Sequence, residues 1–172
     1  MKRISISFSL ILALLALTVV PVLANQPIVV KLTKQDERDV KNFNGVAAGG
    51  PINVIVTLGN TEGLRFEGDA DAISTLVTEV KGNILIIRPQ NSWTSWERKY
   101  QNKKITAYVS AKTIKSLTMS GSGSISVTGK IKTAELATTL SGSGSISANA
   151  EVSSYSGVIS GSGNLNISGN AR

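Results

Sequence analysis

Apolar and polar positions alternate in three stretches of the chain's last third, each introduced by the same phrase. The stretches are SGSGSISV from Ser120, SGSGSISA from Ser141 and SGSGNLNI from Ser160. Aligned on their serines, they place Met119, Leu140 and Ile159 in one apolar file, Ile125, Ile146 and Leu165 in a second, and Val127, Ala148 and Ile167 in a third. The positions between are Ser or Asn, so each stretch has the period of two expected of a strand with one dry face. A weaker fourth file pairs Ile131 with Val152. Gly121, Gly142 and Gly161 also align, as a sharp corner repeated on successive coils requires. A flexible Gly/Ser linker has no reason to hold Ile, Leu and Val in register. The copies recur about every 20 residues, a coil length typical of stacked repeats. They predict an all-β, parallel β-helix-like solenoid with about 20-residue rungs and repeats at 120–127, 141–148 and 160–167. One rung buries too few side chains, at about 1.5–3 kcal/mol each, to offset its backbone entropy, so the rungs must stack.

Upstream, the same alternation reappears in a degenerate form. In FNGVAAGGPINVIVTLGN, from Phe43 to Asn60, Gly49-Gly50 reads as the corner and Ile52, Val54 and Val56 alternate after it. This predicts the N-terminal rung. LRFEGD reads as a strand, and DADAISTLVTEVKGN as a short helix or a polar loop with Ile73, Leu76 and Val80 on one side. ILIIRPQ, from Ile84, is a strand ending at Pro89, and Ile105, Ala107 and Val109 alternate in the stretch that leads into the repeats. The IVVKL run, in the stretch from Gln26 to Leu32, is β-like and is followed by a charged segment.

The start of the chain has a different character. Lys2 and Arg3 precede an apolar run from about Phe8 to Val20, and Val22-Leu23-Ala24 provides a small residue where a signal peptidase cuts. Residues 1–24 read as a secretory signal peptide, with an uncleaved anchor as the alternative, and 25–172 as one β-solenoid domain. There is no cysteine, which excludes disulfides and thiolate metal sites. The net charge is +7. On an exported protein this favours acidic glycans or lipid headgroups over nucleic acid, although solubility alone also accounts for it.

Chemistry concentrates in one segment, NSWTSWERKYQNKK. Trp93, Trp96 and Tyr100, interleaved with Arg98 and Lys99, form a candidate binding patch in a chain with 5% aromatic residues. Aromatic faces beside cations suit sugar rings with acidic substituents. The alternative is that one tryptophan packs on the sheet and the charges form a solvated loop. Catalysis is disfavoured. The chain has no histidine, the commonest general base and a frequent metal ligand. The glycine phrases lack the aspartate of calcium-binding repeats and the third glycine of a dinucleotide site. No cofactor is expected.

The succession FNGVAAGGPINVIV, RFEGDADAISTLVTEVKGNILIIRPQ and KTIKSLTMSGSGSISV with its two successors resembles the auto-transporter adhesin, head GIN domain family of exported bacterial proteins, over roughly residues 40 to 170. The resemblance implies a right-handed parallel β-helix-like fold and a cell-envelope role, in the periplasm, on the outer-membrane surface or outside the cell, and it brings no catalytic residues. The expected function is a non-enzymatic binding or adhesion module for polysaccharide or another cell-surface component, without nucleic acid. The alternatives are a structural envelope protein that self-associates and a polysaccharide-active enzyme. Because nothing after Ile167 reads as a cap, the C-terminal solenoid end is expected to be partly open and to support homo-oligomers.

Overall fold

In chain order the alternating segments become β1 (Lys34–Arg38), β2 (Gly45–Gly49), β3 (Asn53–Leu58), β4 (Gly63–Gly68), helix α1 (Ala70–Ser74), β5 (Leu76–Lys81), β6 (Ile84–Pro89), β7 (Ile105–Ala111), β8 (Ser116–Gly121), β9 (Ser124–Gly142), β10 (Ser145–Ser160) and β11 (Asn164–Ala171). The structure is a computed structural model that describes residues 34–91, 95, 98–99 and 103–171. Residues 1–33, with the expected signal peptide and the IVVKL run, lie outside the described residues. The fold is all-β, as expected, and among the described residues the eleven strands form one curled sheet with α1 at its side.

The repeats pair in parallel. The start of β10 runs beside the start of β9 with Ile146 opposite Ile125, and β11 runs beside β10 with Leu165 opposite Ile146. On the other arm Met119 of β8 faces Leu140 of β9, which faces Ile159 of β10. Both files point inward: Met119, Leu140 and Ile146 are completely buried. The corners stack as well. Gly121, Gly142 and Gly161 have φ of 121°, 109° and 121°, where a side chain is strained. A Cβ on Gly142 would stand 2.6 Å from the Gly121 carbonyl oxygen. The corner therefore needs glycine twice over, for its backbone angle and for its closeness to the backbone of the neighbouring corner.

The fourth file is corrected by the structure. Ile131 lies opposite Ala150, and Val152 opposite Thr133, because the β9–β10 register shifts between Ser147 and Asn149. Ser147 faces Ser126 while Asn149 faces Lys130, so β9 bulges around Val127–Gly129, where Gly129 has φ 97°. The bulge takes up the two residues by which the first repeat interval exceeds the second.

The order of strands in space also departs from expectation. The Gly49-Gly50 copy, β2 and β3, is not the end rung: β6 lies outside β2 and β7 outside β3, both in parallel. β6 and β7 thus extend the sheet beyond β2 and β3, and the sequence between them, from Gln90 to Lys104, carries no short glycine corner. From β7 the chain returns past β3 and β2 to start β8 on their other side, held there by the Lys115 amide donating to the Asn44 carbonyl at 2.6 Å.

That extension of the sheet is finished by antiparallel strands, β4 on β7, β1 on β4 and β5 on β6. α1 connects the two sides. Asp69 caps it by accepting from the Ala72 amide at 3.1 Å. Ile73 and Leu76 are buried as expected, whereas Val80, on the edge strand β5, is 38% exposed. Arg38 of β1 closes the gap between the sides. Its guanidinium lies 4.8 Å from the Phe66 ring centroid and donates to the carbonyls of Leu76 and Ile73 and the hydroxyl of Thr78.

Candidate functional site

Of the five residues singled out from the sequence, Arg98 and Lys99 are exposed, while Trp93, Trp96 and Tyr100 lie outside the described residues. The base of their segment is anchored. Lys103 Nζ lies 2.6 Å from Asp69 Oδ2, so the aspartate that caps α1 also ties down the chain just before β7. The Lys103 ammonium, with the Ala72 amide, holds the Asp69 carboxyl below its ordinary pKa, and the carboxylate in turn raises that of Lys103.

A second constellation escaped sequence reasoning. Antiparallel pairing of β4 with β7 places Arg65 directly opposite Tyr108. The guanidinium carbon sits 4.3 Å from the Tyr108 ring centroid, within cation–π range. β1 adds Glu37 opposite Arg65 on the other side. Across the remaining strands the same outward row continues through Ile55, Ser126, Ser147 and Asn166. The outward row is therefore a polar ladder of Ser and Asn that leads, past Ile55, into an aromatic and charged rim.

At that rim the surface is concave. A groove of about 730 Å³ is lined by Glu37, Arg38, Asp39, Thr57, Gly63, Leu64, Arg65, Tyr108 and Ser110. Arg65 is held loosely in it, 3.7 Å from Glu67. Asp39 pairs with Lys41 at 2.9 Å and is 76% exposed. The groove presents one aromatic ring, guanidinium donors, carboxylate acceptors and hydroxyls that do both. Among the described residues no three acidic side chains converge in a way that could hold a metal ion. The alternation Ile105, Ala107, Val109 was a signal for Tyr108, since it sends Tyr108 outward, but nothing in the sequence pairs it with Arg65.

The family model described as "Putative auto-transporter adhesin, head GIN domain" matches residues 42–172. The chain belongs to this family. Its fold is similar to crystal structures titled "Putative lipid binding protein" from Parabacteroides distasonis (20% identity, TM-score 0.66, covering 80% of this chain and 60% of that one) and "putative adhesin" from Parabacteroides merdae (14%, 0.65, 78% and 55%). A further "putative adhesin", from Bacteroides fragilis, matches at 15% identity and TM-score 0.52, covering 80% of this head GIN chain and 97% of that one. The chain thus spans little more than half the length of the first two. At these identities the likeness is one of fold alone. No curated protein matches.

Proposed function

We propose that this head GIN domain is a non-enzymatic, exported binding module of the cell envelope that holds glycan chains against its outer sheet face. The observation that carries the reading is the groove around Tyr108. A sugar ring offers apolar C–H faces and a rim of hydroxyls, and it is served by an aromatic ring with flanking groups that both donate and accept. Charged and hydroxyl side chains make up most of the lining, which favours a hydroxyl-rich ligand over an acyl chain, although one structural neighbour carries a lipid-binding title. Trp93, Trp96, Arg98, Lys99 and Tyr100, which precede β7 in the sequence, form a second contact in this reading, and the Ser and Asn ladder extends the surface between coils. The same reading takes the stacked rungs as a right-handed parallel β-helix, and residues 1–24 as a signal removed on export to the periplasm, the outer-membrane surface or the medium. The absence of histidine and cysteine and the solvated state of Asp39 support binding without turnover.

The test is a glycan array probed with the exported protein and with Tyr108→Ala and Arg65→Ala. Binding to a defined set of envelope polysaccharides is expected, weakened at least about tenfold by either change, a loss of about 1.4 kcal/mol. Signals unaffected by both variants would remove the groove from the function, and turnover of a bound polysaccharide would make the protein an enzyme.

A further inference from the structure

The two ends of the strand stack are finished in opposite ways. At the β6–β7 end, antiparallel strands cover the core, Leu64, Phe66, Ile73 and Leu76 are buried, and the outermost strand β1 reads KQDER, four of its five residues charged. Charged edge strands resist pairing with another chain. At the other end, among the described residues, Ser154–Ser160 of β10 pairs only with β9, and β11 only with β10. One flank of each strand therefore keeps its backbone N–H and C=O groups unpaired. Inward positions that are fully covered one coil earlier are open here: Ile159 is 49% exposed although Met119 and Leu140 in its file are at 0%, and Tyr155 is 38% exposed opposite Leu136 at 1%. Leu165 and Ile167 are only partly covered.

What this end lacks identifies its occupant. Between Val152 and Ala171 there is no Lys, Arg, Asp, Glu or Pro, in a chain of net charge +7. None of the usual devices that blunt an edge is present, and two such ends meet without charge repulsion. At the opposite end β1 is charged along most of its length and β5 carries Glu79 and Lys81, so head-to-tail growth is disfavoured and a like-to-like contact remains. Such a contact is two-fold and closes on itself. Antiparallel addition is also how the fold completes its other end.

We propose that this end is an interface with a second copy of the chain, in which Ser154–Ser160 of β10 and β11 pair antiparallel with the same strands of the partner and cover Ile159, Leu165 and Ile167. The interface is independent of what the groove binds.

Sedimentation velocity of the exported protein across a wide concentration range tests this. A monomer that converts to a dimer and goes no further is expected. Val158 and Asn166 alternate with the inward residues and face outward on the two edge strands, Val158 at 54% exposure. Val158→Lys and Asn166→Lys therefore place a charge on the edge without entering the core. Each should raise the dimer dissociation constant at least about tenfold while leaving the thermal midpoint of the monomer unchanged. Ser126→Lys, on the same outer face but on an inner coil, should leave association as it was. A strictly monomeric protein, open-ended growth, or a dimer indifferent to both edge lysines would overturn the proposal.

Discussion

The hydroxyls of Tyr155 and Thr138 lie 2.7 Å apart, across neighbouring strands, where the core approaches its open end. Thr138 is 1% exposed and is the buried polar side chain among the described residues, while Tyr155 is 38% exposed. The tyrosine ring reaches Thr138 by lying over Gly157, where a Cβ would stand 2.5 Å from the Tyr155 hydroxyl. Tyr155 thus acts as a partial plug that satisfies the one buried hydroxyl beneath it.

The two partners of this bond should respond unequally to mutation. Tyr155→Phe leaves the Thr138 hydroxyl buried without a partner, at a cost of about 1–3 kcal/mol, whereas after Thr138→Val the Tyr155 hydroxyl can turn to water and the cost should stay below about 1 kcal/mol. Urea midpoints of the two variants give the ranking, and the reverse order would mean that Thr138 is satisfied by another group.

The register of the repeats predicts a sharper contrast between sequence neighbours. Ile146 is fully buried and Ser147 is exposed on the outer ladder. Ile146→Asp forces an unpaired charge into the core at a cost of several kcal/mol, enough to unfold a domain whose total stability is about 5–15 kcal/mol. Ser147→Asp should change stability by no more than about 0.5 kcal/mol. Equal melting shifts for the two variants would contradict the pairing of β9, β10 and β11.

The repeats were legible because each copy carries its apolar files at the same offsets from the same corner, so that the file of Ile125, Ile146 and Leu165 is visible in the sequence alone. The pairing of Ile131 with Ala150 was not, because the bulge at Val127–Gly129 breaks that offset and leaves no mark beyond one glycine. The position of β6 and β7 was hidden for a different reason. Their connection, from Gln90 to Lys104, has none of the Gly/Ser phrase that marks the other corners, and strands distant in sequence stack by shape rather than by a shared motif. The groove depended on this same step, since Arg65 and Tyr108 become neighbours only through the antiparallel pairing of β4 with β7. The aromatic and basic segment stood out by composition, which locates unusual chemistry but does not say what it faces.

The Asp69–Lys103 pair predicts how stability follows pH. Asp69 has a folded pKa below its unfolded value, so its contribution is fully present above the unfolded carboxyl pKa of about 3.9 and is lost as pH falls through the folded one. Lys103 has a folded pKa above its unfolded value of about 10.4, so its contribution is present below that pH and is lost as pH rises through the folded one. The pair should therefore stabilise the domain on a plateau between about pH 4 and pH 10 and fade on either side. Asp69→Asn isolates this effect, because asparagine still caps α1 by accepting from the Ala72 amide but no longer carries the charge that Lys103 meets. The difference in urea midpoint between the wild type and Asp69→Asn should be constant from pH 5 to about pH 9, shrink below about pH 4 and above about pH 10, and diminish with added salt, since half of the Lys103 side chain is exposed. A difference that persists undiminished at pH 2, where the carboxyl is neutral, would mean that it does not come from the charge of Asp69 and that the ion pair leaves stability unchanged.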